Sequence, residues 1–260
     1  MNLYLIDNNI YSSRSQRARV MSETWIEKNM YCPRCGNTFL LKQKNNTPVS
    51  DFICPNCKNE YELKSRSRAF GSKIVDGSYE KMIEKINANN NFDFFFMHYS
   101  MQTNKILDFT FIPNHFFTPE IIEKRKPLSK AAKRAGWVGC NILFSEIPLQ
   151  GQISVISNGM ITPKNTVLKK VENGNLLHFQ NVADRGWIFE VLKCVNMVGQ
   201  IFILEEMYLF ETKLTLKFPQ NRTIKAKIRQ QLQILRDKGF IQFLGNGKYK
   251  KLFNDKEYFL

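Results

Sequence analysis

The 260-residue chain has no run of 18 uninterrupted apolar residues, which excludes a membrane-spanning helix. Its first fifteen residues carry Asp7 and several Asn and lack the apolar stretch of a secretory leader, so export is not expected. Repeats and low-complexity tracts are absent, and with 43% hydrophobic and 23% charged residues the chain can pack a core. Acidic residues are scarce, 23 against 38 Lys and Arg, which leaves a net charge of +15. A protein this basic usually meets a polyanion, and nucleic acid is the commonest. Histidine is scarcer still: His98, His115 and His178 stand apart with no second ligand at useful spacing, so they read as structural. The expected location is the cytoplasm. In that reducing compartment the six cysteines suit metal binding better than disulfides.

The pattern along the chain is mixed α/β. Residues 14–29 read as an amphipathic helix with Ala18, Met21, Trp25 and Ile26 on one face. Residues 31–64 read as short strands joined by tight turns. Residues 78–88 follow as a helix with Ser78 as its N-cap. Strands are expected at 92–99, 107–112 and 152–156, and a loop from Thr162 to Asn175. Near Ala183 the periodicity changes. Helices are expected at 187–195, 204–218 (ended by Pro219) and 223–238 (closed by Gly239), then a hairpin turning at Gly245-Asn246-Gly247. Three helices and a hairpin describe a winged helix. The expected domains are therefore 1–183 and 184–260, the second folding by itself. Trp25 and Trp187 belong to apolar helix faces, and Cys140 and Cys194 read as ordinary buried or semi-buried thiols.

Cys32-Pro-Arg-Cys35 and Cys54-Pro-Asn-Cys57 are two matched knuckles with 18 residues between them. Each offers two thiolates from one turn, and two such turns complete a tetrahedral zinc site with no open position, so structural zinc is expected. Four unrelated core cysteines would rarely fall in this spacing.

Asp51 lies just before the second knuckle and Glu62-Leu63-Lys64 just after it. If these flank a hairpin, strand alternation puts Glu62 and Lys64 on one face and Leu63 on the core side, with Asp51 across from them. Two carboxylates form a hard oxygen site for Mg²⁺, and an ammonium beside them can orient a water or meet a phosphate, the chemistry of phosphodiester hydrolysis. Glu-x-Lys alone is usually a solvated strand face. What favours the catalytic reading is its position between metal knuckles in a basic chain.

Two surfaces suit DNA. Residues 124–134 hold six Lys or Arg and no acid, ending at Arg134, and Trp137 follows between Gly136 and Gly139. Glycines there permit close approach, although a core position is the commoner fate of Trp. In the third helix of the winged region, Ile224, Ile228, Leu232 and Leu235 face inward and Lys225, Lys227, Arg229, Gln230 and Gln233 face outward. The wing adds Lys248, Lys250 and Lys251. Gln and Arg can read adenine and guanine in the major groove.

Asp51…Glu62-Leu63-Lys64 resembles the active-site motif of the PD-(D/E)XK nucleases, with Ser50 rather than Pro before the aspartate. Over nearly its whole length the chain resembles the DpnI-like methyl-directed restriction endonucleases. The likeness is carried by Tyr31-Cys32-Pro33, Pro48-Val49, Asp51-Phe52, Glu62-Leu63-Lys64-Ser65, Arg125-Lys126-Pro127-Leu128, Arg134-Ala135-Gly136-Trp137, Arg185-Gly186-Trp187 and residues 227–238. The resemblance implies a PD-(D/E)XK core with an inserted zinc-binding hairpin and a C-terminal winged helix. It implies a type II restriction endonuclease that cuts double-stranded DNA at GATC carrying 6-methyladenine; a monomer needing no protein partner is expected. Asp51, Glu62 and Lys64 would be catalytic, the Leu63 carbonyl would be a further Mg²⁺ ligand, and Cys32, Cys35, Cys54 and Cys57 would hold zinc. The alternative is a non-catalytic zinc-ribbon and winged-helix transcription regulator, which leaves Asp51, Glu62 and Lys64 without a role. A nuclease for RNA or branched DNA is disfavoured by the winged helix.

Overall fold

The computed structural model of the chain describes residues 13–43 and 50–253. The Pro48-Val49 stretch lies outside them. In chain order the helices are α1 (Arg14–Asn29), α2 (Tyr79–Asn87), α3 (Lys164–Asn175), α4 (Val182–Met197), α5 (Leu204–Tyr208), α6 (Glu211–Lys217) and α7 (Ile224–Asp237). The strands are β1 (Leu41–Lys42), β2 (Phe52–Ile53), β3 (Glu60–Arg66), β4 (Lys73–Ser78), β5 (Asp93–Ser100), β6 (Lys105–Ile112), β7 (Ile122–Lys124), β8 (Gly139–Leu143), β9 (Ile153–Ser157), β10 (Met160–Ile161), β11 (Ile201–Ile203), β12 (Ile241–Gly245) and β13 (Lys248–Lys251). They divide into two compact units, one of Met1–Lys73, Asn90–Asn114 and Gln150–Asn175, the other of Ile74–Asn89, His115–Leu149 and Leu176–Leu260.

The first unit is built on a mixed sheet ordered β1-β2-β3-β5-β6-β9-β10, in which β3 and β5 run parallel and the other pairs antiparallel. Alternate residues on one face, Phe95, Met97, Phe109, Phe111, Ile153 and Val155, pack under α1 and α3. From α1 come Met21, Trp25, Ile26 and Met30, the face expected from periodicity, and Trp25 meets Phe109 edge-on at 5.5 Å. Removing each such side chain from water is worth about 1.5–3 kcal/mol, which is what holds a helix of modest intrinsic propensity on the sheet.

The stretch expected as a loop from Thr162 to Asn175 is helix α3. Val167 and Val171, four residues apart, join the core beside β9, and tertiary burial outweighs their weak helix propensity.

The second unit combines α2 and a sheet ordered β4-β8-β7 with the winged helix. Ser78 caps α2 as expected, its hydroxyl accepting from the Lys81 N–H. In the winged region Ile224, Ile228, Leu232 and Leu235 of α7 are buried. The wing hairpin gains a third strand, giving the order β11-β13-β12. That strand corrects the single helix expected over 204–218. Ile201–Ile203 pairs with β13, and Glu206 reaches back to the Ile203 N–H at 2.7 Å, so α5 starts from a strand. It closes after one turn through three-residue bonds at Leu209 and Phe210, and α6 begins afresh. Trp187, Cys140 and Cys194 are buried, as expected. Among the described residues no helix is long and apolar enough to cross a membrane.

Candidate active site and nucleic-acid interface

The two cysteine knuckles are near-copies. Cys32 donates its N–H to Asn37 and accepts from Gly36, and Cys54 does the same with Asn59 and Lys58. Each turn needs a left-handed residue after its second cysteine, supplied by Gly36 (φ +75°) and by Lys58 (φ +62°). The four sulfurs lie within 4.8 Å of one another, with Cys32–Cys57 and Cys35–Cys54 at 3.6 Å. A tetrahedron of zinc–sulfur bonds of about 2.3 Å has edges of roughly 3.8 Å, so the cluster is compatible with a zinc site. Polar groups point at the sulfurs: Tyr61 Oη at 2.9 Å from Cys32, Asn56 Nδ2 at 3.4 Å from Cys35 and Asn59 Nδ2 at 3.3 Å from Cys57. Burial raises the Cys35 thiol, but the hydrogen bonds from Asn56 and the Asn37 N–H outweigh it and leave it at about 6.

The first knuckle is docked on the sheet by Arg34. Its Nε and Nη2 form a fork on the buried carboxylate of Asp93 at 2.8 and 2.7 Å, and its Nη1 reaches Asn175 Oδ1 at 2.6 Å. Helix α3 also holds this knuckle through Lys164 Nζ on the Gly36 carbonyl at 2.7 Å. No sequence signal marked this role for α3, because the pairing spans well over a hundred residues.

The second knuckle tips the hairpin between β2 and β3, as expected, with Phe52 opposite Tyr61. Asp51 donates its N–H to the Tyr61 carbonyl, and its Oδ2 accepts the Leu63 N–H at 2.7 Å. Asp51 is thus tied to β3 by its backbone N–H and by its carboxylate. Leu63 packs toward the core, while Glu62 and Lys64 share the opposite face and form an ion pair. The parallel neighbour sets Phe94 beside Glu62 and Phe96 beside Lys64, and the Lys64 ammonium lies 5.9 Å from the Phe94 ring. One wall of the site is therefore apolar. Asp51 titrates above the ordinary range, chiefly through burial and also through the charge of Glu23, against the Leu63 N–H, Lys64 and Arg19, which pull it down.

Sequence reading missed Glu23. It lies on α1 with a buried side chain, paired with Arg19 at 2.6 Å and Lys42 at 2.8 Å, and it is close enough for its charge to be felt at Asp51. Next to it, the Ser22 and Ser65 hydroxyls meet at 2.9 Å and tie α1 to β3. The available signal was an acid in α1 between Ser22 and Thr24, off the apolar row of Met21 and Trp25.

Of the residues expected to read DNA, Trp137 is half-buried at the base of a hairpin closed by the Leu128 N–H on the Trp137 carbonyl at 2.9 Å. Its ring lies against Gly139, where an added Cβ would stand 2.9 Å from ring carbons, so the glycine makes room for the indole. The exposed Arg134 guanidinium covers the ring at 4.6 Å. On α7, Lys225, Arg229, Gln230 and Gln233 are exposed and Lys227 is half-buried, 5.7 Å from the Trp187 ring. Lys248 and Lys250 are exposed on β13. Lys251, expected with them, is 1% exposed and directs its ammonium to the Asn196 carbonyl at 3.3 Å. Strand alternation turns it inward, and the inward site supplies an acceptor.

A mixed sheet, a four-cysteine cluster compatible with zinc and a winged helix lie in one chain, and its family is one of restriction endonucleases with a DNA-binding module. The chain belongs to the Dam-replacing family, that of DpnI, whose family model matches residues 1–180. A model of the Dam-replacing helix-turn-helix domain matches residues 183–251. The likeness to the DpnI-like methyl-directed endonucleases is thereby borne out across both parts of the chain.

Proposed function

We propose that the protein is a type II endonuclease that hydrolyses double-stranded DNA at GATC sites bearing 6-methyladenine. The observation that carries this reading is the convergence of Asp51, Glu62 and Lys64 at the root of the cysteine hairpin in a chain of this family. The oxygen-rich pair Asp51 and Glu62, with the Leu63 carbonyl on the strand between, suits Mg²⁺ rather than a soft metal. When bound, Mg²⁺ would neutralise the phosphate and make its bound water more acidic. The Leu63 N–H holds the Asp51 carboxylate in one orientation. The Lys64 ammonium, paired with Glu62, orients a water and meets the charge that develops on the phosphate. Cys32, Cys35, Cys54 and Cys57 would hold zinc as a structural staple at the hairpin end.

In this reading a monomer acts in the cytoplasm, residues 184–260 form the DNA-binding winged helix and residues 1–183 the catalytic domain. Trp137 and Arg134 would meet the DNA together with Lys225, Lys227, Arg229, Gln230, Gln233, Lys248 and Lys250. Plasmid DNA from an adenine-methylating host and from a non-methylating host is incubated with the protein and Mg²⁺ and resolved on a gel. Discrete fragments from the methylated plasmid alone are expected. Intact DNA in both lanes would refute cleavage and favour a regulator that only binds.

A further inference from the structure

Helix α7 exposes two kinds of cation, and the structure treats them differently. The Lys225 ammonium lies 3.4 Å from the Glu211 carboxylate and 5.4 Å from the Tyr208 ring, so its charge is matched within the protein. Arg229, one turn further on, has no carboxylate partner among the described residues. Its Nη1 donates to the Tyr208 hydroxyl at 2.7 Å, a neutral acceptor that leaves the full positive charge in place. Tyr208 is half-buried at the end of α5, next to the buried Met207, and α5 packs against α7. A guanidinium has five N–H donors in a planar fork. One is used here, which restrains the guanidinium against Tyr208 and leaves the other donors for a ligand. Gln230 and Gln233 are exposed on the same stretch of the helix, and Arg229 and Gln233 stand four residues apart, as neighbours on one face.

We infer that Arg229 reads a guanine edge in the major groove and that Tyr208 is its positioning residue, setting the guanidinium in the plane a bidentate contact requires. A phosphate also accepts a bidentate fork, but the exposed Gln230 and Gln233 on the same stretch of helix are amides suited to base edges and favour a base over the backbone. A guanine presents two fixed acceptors, O6 and N7, and rewards a fixed fork. The inference rests on the proposal that the winged helix binds GATC-containing duplexes, and it assigns the side chain that recognises the guanine of that site.

The test uses the full-length protein in Mg²⁺-free buffer with labelled duplexes containing methylated GATC, made either with guanine or with 7-deazaguanine, which lacks the N7 acceptor. The wild type is expected to prefer guanine by roughly tenfold, the discrimination of one bidentate pair. Tyr208→Phe, which keeps the ring and every charge, is expected to bring that ratio close to one while the salt dependence of binding and the thermal unfolding midpoint stay unchanged. Arg229→Lys is expected to collapse the ratio in the same way. An unchanged ratio in Tyr208→Phe would overturn the assignment, and so would a wild-type ratio of one. An equal loss of affinity for both duplexes would assign Arg229 to phosphate and overturn it as well. A separate arm with methylated and unmethylated guanine duplexes tests the parent reading: equal binding there refutes methylation-dependent recognition whatever the deazaguanine ratio.

Discussion

Arg34→Ala isolates what fixes the first cysteine knuckle to the sheet. Arg34 sits inside the Cys32–Cys35 turn, and its fork closes on Asp93, whose side chain is 1% exposed. Asp93 Oδ1 accepts one further bond, from the Asn114 N–H at 2.8 Å. Truncating Arg34 leaves a carboxylate in the interior with that backbone donor and no cation, and such losses cost about 3–5 kcal/mol. For a chain of this size each kcal/mol moves the melting midpoint by roughly 2–4 °C, so a fall of about 10 °C is expected in the transition of the first unit. Asp93→Asn in the same background removes the uncompensated charge and should return part of the loss. Thermal unfolding of the wild type, both single variants and the double variant completes the cycle. A loss below about 1 kcal/mol in Arg34→Ala, or strict additivity of the two changes, would refute the argument that this pair is buried and coupled.

Cys54→Ser is expected to release zinc and unfold the hairpin between β2 and β3, seen by metal content and circular dichroism; a native protein that folds fully with no zinc bound would contradict it. Asp51→Ala should abolish cleavage, yet bind DNA in metal-free buffer as well as the wild type or slightly better, because it removes a negative charge facing phosphate. Lys64→Ala should also stop cleavage but bind slightly more weakly, and gel shifts read the opposite signs. The Glu146 carboxylate, hydrogen-bonded by Lys193, resisted by burial and bonded also by Lys217, is held at about 2 against an ordinary 4.5. Its folded-state value is depressed, so its contribution is full above about pH 4.5 and is lost as pH falls toward about 2. Glu146→Gln should flatten the fall of the unfolding midpoint across that window, and an identical pH slope in both proteins would count against the linkage.

What could be read in the sequence was local or periodic. The knuckles, the α1 face, the alternation at Glu62-Leu63-Lys64 and the inner row of α7 each repeat at a fixed spacing, and each is where periodicity placed it. What escaped depends on partners far along the chain. Helix α3 forms because Val167 and Val171 find the sheet, and β11 because β13 follows it some fifty residues later. Glu23 was lost because the apolar row that marks α1 passes it by. Lys251 was counted with the wing because charge runs predict exposure, whereas its strand position decides otherwise.

The same long-range packing bears on where the winged helix begins. Helix α4 is buried on nearly all sides from Arg185 to Val195, which a helix of a free-standing winged domain would not be. Part of that burial comes from α7, but Phe189 stacks on Phe116 at 4.8 Å, Gly186 lies against the Glu120 carboxylate, and Arg185 reaches Asn89 at 2.6 Å. The helix is also capped from outside the fragment, by Asn181 Oδ1 accepting from the Ala183 and Asp184 N–H groups. A fragment starting at Asp184 therefore loses its cap and exposes Phe189, worth about 1.5–3 kcal/mol on its own. A fragment starting at Phe179 restores the cap alone and should be more stable by about 1 kcal/mol. Denaturant midpoints of the two fragments would measure that difference. Equal midpoints, or a fragment from Asp184 as stable as the second unit in the intact chain, would show that α4 draws its stability from the winged helix alone.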